Sequence, residues 1–212
     1  MSTRRVIRFA REVNLGTRYP AIEGAIKEFI QAQQMFFVGS APLDEIGHVN
    51  ISPKGLDTFR VLGPRRVAYL DLTGSGIETV AHVKENGRIV LMFCGFQGPP
   101  KILRLHGRGR VVEPHDSEFS DLRSSFPDRA GVRSIIVVEL TDIADSCGFG
   151  VPLYHFEGQR EHHGSWALRL GTEALESYRQ EKNRRSLDGL LGLSRRTASP
   201  IQRKKRIVRR KA

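Results

Sequence analysis

The sequence predicts a closed antiparallel β-barrel with short helices set between the strands. Three observations carry this expectation. Six or so segments rich in Val, Ile, Leu and Phe have the length and composition of strands. Helical periodicity is confined to short stretches that do not alternate regularly with the strands, as a parallel βαβ sheet would require. The chain has 212 residues, 39% apolar with 11 Phe, which is enough to bury a core and excludes a wholly disordered chain.

The elements follow in order. From Tyr19 to Gln34, Ile22, Ala25, Ile26, Phe29 and Ile30 recur at helical spacing, and Pro20 suits a first turn. Met35–Ala41 then reads as a strand, 42–47 as a turn, and His48–Ser52 as a second strand that Pro53 and Gly55 should stop, the pair forming a hairpin. Arg66–Leu72, Arg88–Cys94 and Lys101–Val112 are further strands, and Arg133–Leu140 is another, extended by Thr141–Cys147. Short helices are expected at Ser75–Asn86, Asp116–Phe126 and Thr172–Lys182. No internal repeat is present.

The formal net charge of +11 is concentrated at one end. Residues 195–212 carry nine cations and no acid; without them, 25 cations face 23 acids. The expected organisation is a basic N-terminal arm over 1–18, one domain over 19–194 and a disordered basic tail over 195–212. Such a tail serves either as a weak electrostatic contact with nucleic acid or as a solvated extension. No apolar run approaches the ~20 residues of a membrane-spanning helix. The N-terminus lacks the apolar segment of a signal peptide. Cys94 and Cys147 are too few for a disulfide framework, so a cytoplasmic protein with no membrane contact is expected.

Chemistry concentrates in Asp71-Leu72-Thr73-Gly74-Ser75-Gly76-Ile77-Glu78-Thr79. A strand ends there, two glycines allow a tight turn, and Ser75 with Glu78 has capping-box spacing. Free N–H groups and the hydroxyls of Thr73, Ser75 and Thr79 would converge at the helix start, either as a phosphate cradle or as a plain capped helix. Along Lys101–Val112, Leu103, Leu105, Gly107, Gly109 and Val111 share one face. Arg104, His106, Arg108 and Arg110 share the other, as a polyanion or phosphate contact or as a solvated strand face. His155, His162 and His163 lack the paired spacing of zinc ligands, so no metal site is expected. No nucleophile-elbow motif is present.

In order, these motifs resemble the pyridoxamine 5′-phosphate oxidase-like family of FMN-binding split barrels. The segments are FFVGSAP, HVNISPKG (His48 to Gly55) and TGSGIETVAHVKENGRIVLMF, followed by a Gly-alternating strand. Cys-Gly-Phe-Gly-Val-Pro (Cys147 to Pro152) and KNRRSLDGLLGL are similar to an uncharacterised bacterial branch. The resemblance covers about residues 20–193. It implies a six-stranded antiparallel split barrel, a homodimer with FMN at the subunit interface, and FMN-dependent oxidoreductase chemistry on a small organic substrate. A non-catalytic flavin-binding module, or an F420- or haem-binding relative, stands as the alternative. Carried over by position, Ser52, Pro53 and Lys54 run along the flavin, and Leu72 and Thr73 match the strand end that meets it. Ser75 and Thr79 stand at the helix start. The family's Arg-Lys phosphate pair is replaced by Glu78-Thr79, leaving Lys54 and Arg104 as the candidate phosphate cations. The family's C-terminal Arg-x-His substrate pair is missing, which argues against pyridoxal phosphate synthesis.

Overall fold

The computed structural model describes residues 16–194. The basic tail and all but the last three residues of the expected arm lie outside them. Seven strands form one antiparallel sheet in the order β2-β1-β5-β6-β7-β4-β3. They are β1 (Phe36–Ser40), β2 (Asn50–Lys54), β3 (Phe59–Gly63), β4 (Arg66–Leu72), β5 (Arg88–Cys94), β6 (Ile102–Val112) and β7 (Val132–Ser146). The helices are α1 (Gly24–Ala32), α2 (Glu78–Asn86), α3 (Phe119–Arg123) and α4 (His162–Lys182).

The mainly-β architecture agrees with the sequence, with two corrections. There are seven strands rather than six, and the ends of the sheet, β2 and β3, are not hydrogen-bonded to each other. The barrel is therefore split, as the family resemblance implies, and not closed as the strand pattern alone suggests. Its curl is nonetheless enforced by chain connectivity. The two end strands are joined by only four residues, Gly55 to Thr58, which can span at most ~14 Å. Leu56 and Asp57 make that junction with φ of 63° and 52°, a left-handed conformation uncommon for residues with a side chain. A salt bridge then crosses the split, with Lys54 Nζ of β2 3.7 Å from Asp71 Oδ1 of β4.

Other boundaries moved for identifiable reasons. Pro53 lies inside β2 instead of stopping it, because β2 is an edge strand and a missing N–H can face outward. The residues before α1 are not helical. Tyr19 N–H bonds to the Ile143 carbonyl at 2.8 Å and Ile22 N–H to the Pro64 carbonyl at 2.8 Å, so this stretch runs along the barrel wall. The helix α2 begins at Glu78 with Ile77 as its N-cap and no side-chain cap, so the Ser75–Glu78 capping box does not form. Its predicted stop does form, with Gly87 at φ 71° closing the last turn.

The barrel interior holds Phe36, Tyr69, Leu91, Phe93, Leu103, Leu105 and Ile143. Phe36, Phe59 and Phe93 meet with centroids 5.1–5.5 Å apart, in edge-on and stacked pairs. A second cluster on the other face of β4 and β7 includes Ala68, Leu70, Ile135, Val137 and Phe126. These two strands are buried on both faces, which is why Ile135 to Val138 reads as an unbroken apolar run rather than an alternation. Among the described residues, no helix is long and apolar enough to cross a membrane.

Candidate functional site

A cavity of about 250 Å³ opens where β2, the end of β4 and the start of α2 converge. It is lined by Ser52, Pro53, Lys54, Leu72, Gly74, Gly76, Glu78, Thr79 and Arg133. Five of the eight positions carried over from the sequence thus meet at one place: Ser52, Pro53, Lys54, Leu72 and Thr79.

The strand β2 presents Asn50, Ser52 and Lys54 on one face because successive side chains alternate. Ser52 Oγ donates to Asn50 Oδ1 at 3.2 Å, and Asn50 Nδ2 donates to Thr79 Oγ1 at 2.9 Å. This chain of bonds ties the edge strand to the first turn of α2 and orders one wall of the cavity. The opposite wall is ionic. Asp71 is 1% exposed and receives Arg133 Nε at 2.6 Å and Ser134 Oγ at 3.1 Å. Burial would raise the Asp71 carboxyl, but Arg133, then Lys54, together with the hydrogen bonds from Arg133 and Ser134, hold it below its usual range. One buried carboxylate therefore fixes two cations over the cavity. Glu78 stands at the rim, where Oε1 accepts the Leu187 N–H at 3.3 Å rather than reaching back to Ser75.

The remaining three positions are elsewhere. Thr73 is buried but turned away, its hydroxyl donating to the Gly131 carbonyl at 2.7 Å and accepting from Arg179 Nε at 2.9 Å. Its role is to lock the loop to α4, which also reaches the Thr73 carbonyl through His163 Nε2 at 2.8 Å. Ser75 is exposed and does not line the cavity. Arg104 is on β6, donating to Ser146 Oγ at 3.0 Å. The other arginines of that row are also engaged, Arg108 with the Asn86 carbonyl and Arg110 with Glu118. The row is thus a set of separate local contacts. Among the described residues, no group of three or more His, Cys, Asp or Glu side chains is placed to hold a metal ion.

Sequence reasoning missed Arg133. It stands 62 residues from Asp71 in a strand that carries several other charged residues, and only the pairing of β4 with β7 brings the two together.

A family model described as pyridoxamine 5′-phosphate oxidase matches residues 22–147. A pyridoxamine 5′-phosphate oxidase family protein of Aspergillus flavus is 38% identical over 192 residues, covering 82% of this chain and 77% of that protein. Solved structures with related folds include HupZ of Group A Streptococcus, with 20% identity, a TM-score of 0.43, and coverage of 55% of this chain and 87% of that one. A general stress protein 26-related protein of Clostridium acetobutylicum has 17% identity, a TM-score of 0.42, and coverage of 54% and 80%.

Proposed function

The chain belongs to the pyridoxamine 5′-phosphate oxidase family, and from that premise we propose that it is a flavin-binding oxidoreductase, with FMN as cofactor and a small organic molecule as substrate. The observation that carries this reading is the cavity between β2, β4 and α2, where hydroxyls and two fixed cations converge. Its donors suit a phosphate and a polyol chain: Ser52 and Thr79 hydroxyls, Lys54, Arg133, and the N-terminal end of α2. At about 250 Å³ it is sized for that end of FMN and not for the ring system as well. The ring would then lie outside the cavity.

In this reading Lys54 and Arg133 replace the family's usual basic pair, and Asp71 holds them in register across the split. Ser52 and Thr79 orient the polyol chain. When bound, the flavin supplies the hydride chemistry. The domain over residues 19–194 supplies the site, and a second copy packed on the β1–β2 hairpin, where Ile46 and Ile51 are exposed, completes it. Residues 195–212 act as an accessory electrostatic contact for nucleic acid, in the cytoplasm.

Fluorescence titration with FMN and riboflavin tests the assignment. Lys54→Ala should weaken FMN by about one to two decades, the worth of one charge-assisted contact of ~1.5–3 kcal/mol, and leave riboflavin nearly unchanged. Equal weakening of both would place the lysine at the ring. Failure of the unaltered protein to bind any flavin would overturn the reading.

A further inference from the structure

A second cavity, of about 400 Å³, opens between the last turns of α1, the start of β1 and the junction that joins β2 to β3. It shares no lining residue with the cavity of the candidate site. Its floor is apolar and largely aromatic, formed by Ile30, Phe36, Phe59, Val61 and Phe93. Phe36 and Phe93 are 3% and 2% exposed, so the cavity reaches down to the wall of the core. Its volume falls in the ~300–1,000 Å³ range of small-molecule sites.

The walls are held in place by bonds of their own. Gln159 reaches in from the segment between β7 and α4 and bridges two sides of the cavity. Its Oε1 accepts the Leu56 N–H at 3.1 Å, and its Nε2 donates to the Gln34 carbonyl at 3.0 Å. Gly55 makes room for that bridge, since a Cβ there would stand 3.1 Å from Gln159 Oε1 and 3.3 Å from the Gln34 carbonyl oxygen. The floor is fixed as well, because the rings of Phe36, Phe59 and Phe93 pack against one another in edge-on and stacked pairs.

Three charged groups stand at the rim. Arg60 and Asp57 neutralise each other through paired bonds of 2.7 and 3.0 Å, and Arg60 Nε also donates to the Ser125 carbonyl at 2.8 Å. Lys27 is exposed on α1, on the same helix face as Ile30 and Gln31. Among the described residues no carboxylate pairs with it. The rim thus presents one uncommitted cation beside an aromatic floor. A lysine ammonium is a compact charge on a flexible stem and suits a single carboxylate. A doubly charged phosphate would call for further cations that this rim does not have free.

We propose that this cavity binds a small aromatic monocarboxylate, with its ring against Phe36, Phe59 and Phe93 and its carboxylate on Lys27. Aromatic rings favour edge-on and offset contacts with other rings, which gives an aromatic body an advantage over an aliphatic one of equal area on this floor. The site is separate from the cavity of the flavin reading and does not rest on it.

The test titrates the full chain with 3-phenylpropionate and with its uncharged counterpart 3-phenyl-1-propanol, following the methyl resonances of the protein by NMR. The acid should bind saturably and shift the methyl groups of Ile30 and Val61 foremost. It should bind about three- to fivefold more tightly than the alcohol, the worth of one solvent-exposed ion contact. Lys27→Gln, a change at an exposed position, should bring the acid down to the affinity of the alcohol and leave the alcohol unchanged. Failure of the acid to shift Ile30 and Val61 saturably up to its solubility limit overturns the proposal. Equal affinity of the unaltered protein for acid and alcohol also overturns it, as does an equal loss of both probes in Lys27→Gln.

Discussion

Asp71 shows how a single buried side chain organises the candidate site. Desolvating a carboxylate costs several kcal/mol unless partners replace its water, and removing one partner of a buried pair costs ~3–5 kcal/mol. Arg133, Ser134 and Lys54 supply those partners from two other strands. From sequence, Ser52, Pro53, Lys54, Leu72 and Thr79 could be assembled because they follow motifs along the chain. Arg133 could not, since pairing β4 with β7 spans 62 residues and needs the register of the sheet. His82 carries a prediction at the same scale. Burial lowers its pKa against the opposing pull of Asp188, Glu78 and Glu85, so the folded ring is neutral while the unfolded chain binds a proton more readily. Its contribution to stability is complete above ~6.5, the ordinary imidazole value, and is lost as pH falls below it. Urea unfolding between roughly pH 7 and roughly pH 5 should show a steeper loss of stability for the native chain than for His82→Gln. Parallel slopes would exclude His82 as the group responsible.

At the scale of elements, β4 and β5 fall on their predicted boundaries because charged residues open both strands and polar or glycine-rich loops follow them. The helix α4 was only half readable. Its first turns contain His162, His163, Gly164 and Ser165, a polar stretch without an apolar stripe, and Gly171 at φ 69° breaks the helix before the part that periodicity reveals. The strand β3 was missed because five residues interrupted by Arg60 carry little period-two signal. Glycines distinguish close approach from spare room. At Gly107, where β6 slips register against β7, a Cβ would stand 2.4 Å from the Glu139 carbonyl oxygen and 2.6 Å from Val138 Cγ1. Gly107→Ala should therefore destabilise the fold by about 1–3 kcal/mol. Gly164, in α4 with nothing within 4 Å of its Cβ position, should gain about 0.5–1 kcal/mol on the same change. Denaturant midpoints of the two variants moving in the same direction would contradict this assignment of close contacts.

At the scale of the whole molecule, two features concern what lies beyond the barrel. Ser194, the last described residue, is anchored: its N–H and hydroxyl both bond Glu113, at 3.0 and 2.8 Å. A chain ending there keeps these contacts, so removal of residues 195–212 should leave flavin affinity unchanged and remove most of whatever salt-sensitive binding to nucleic acid the full chain has. Loss of flavin at unchanged stability would mean that the tail contributes to the cofactor site. The other feature is the β1–β2 hairpin, where Leu43, Ile46, Val49 and Ile51 are exposed, Ile46 to 88% and Ile51 to 69%. Val49 and Ile51 also line a shallow depression of about 520 Å³ whose far side carries Arg88, His106 and Arg108, so the exposed apolar residues of the hairpin adjoin a basic rim. Monomeric proteins seldom leave contiguous apolar surface of this kind uncovered. The same edge strand carries Ser52 and Lys54 on its other face, so a partner seated on Val49 and Ile51 would lie beside the cavity and, in the flavin reading proposed above, over the ring. Light scattering should give twice the chain mass of 23.8 kDa at micromolar concentration. Ile51→Glu should return the monomer mass and weaken FMN and riboflavin alike, since what is lost is the cover over the ring they share. A monomer that binds FMN with undiminished affinity would separate the two events and place the whole cofactor site within one chain.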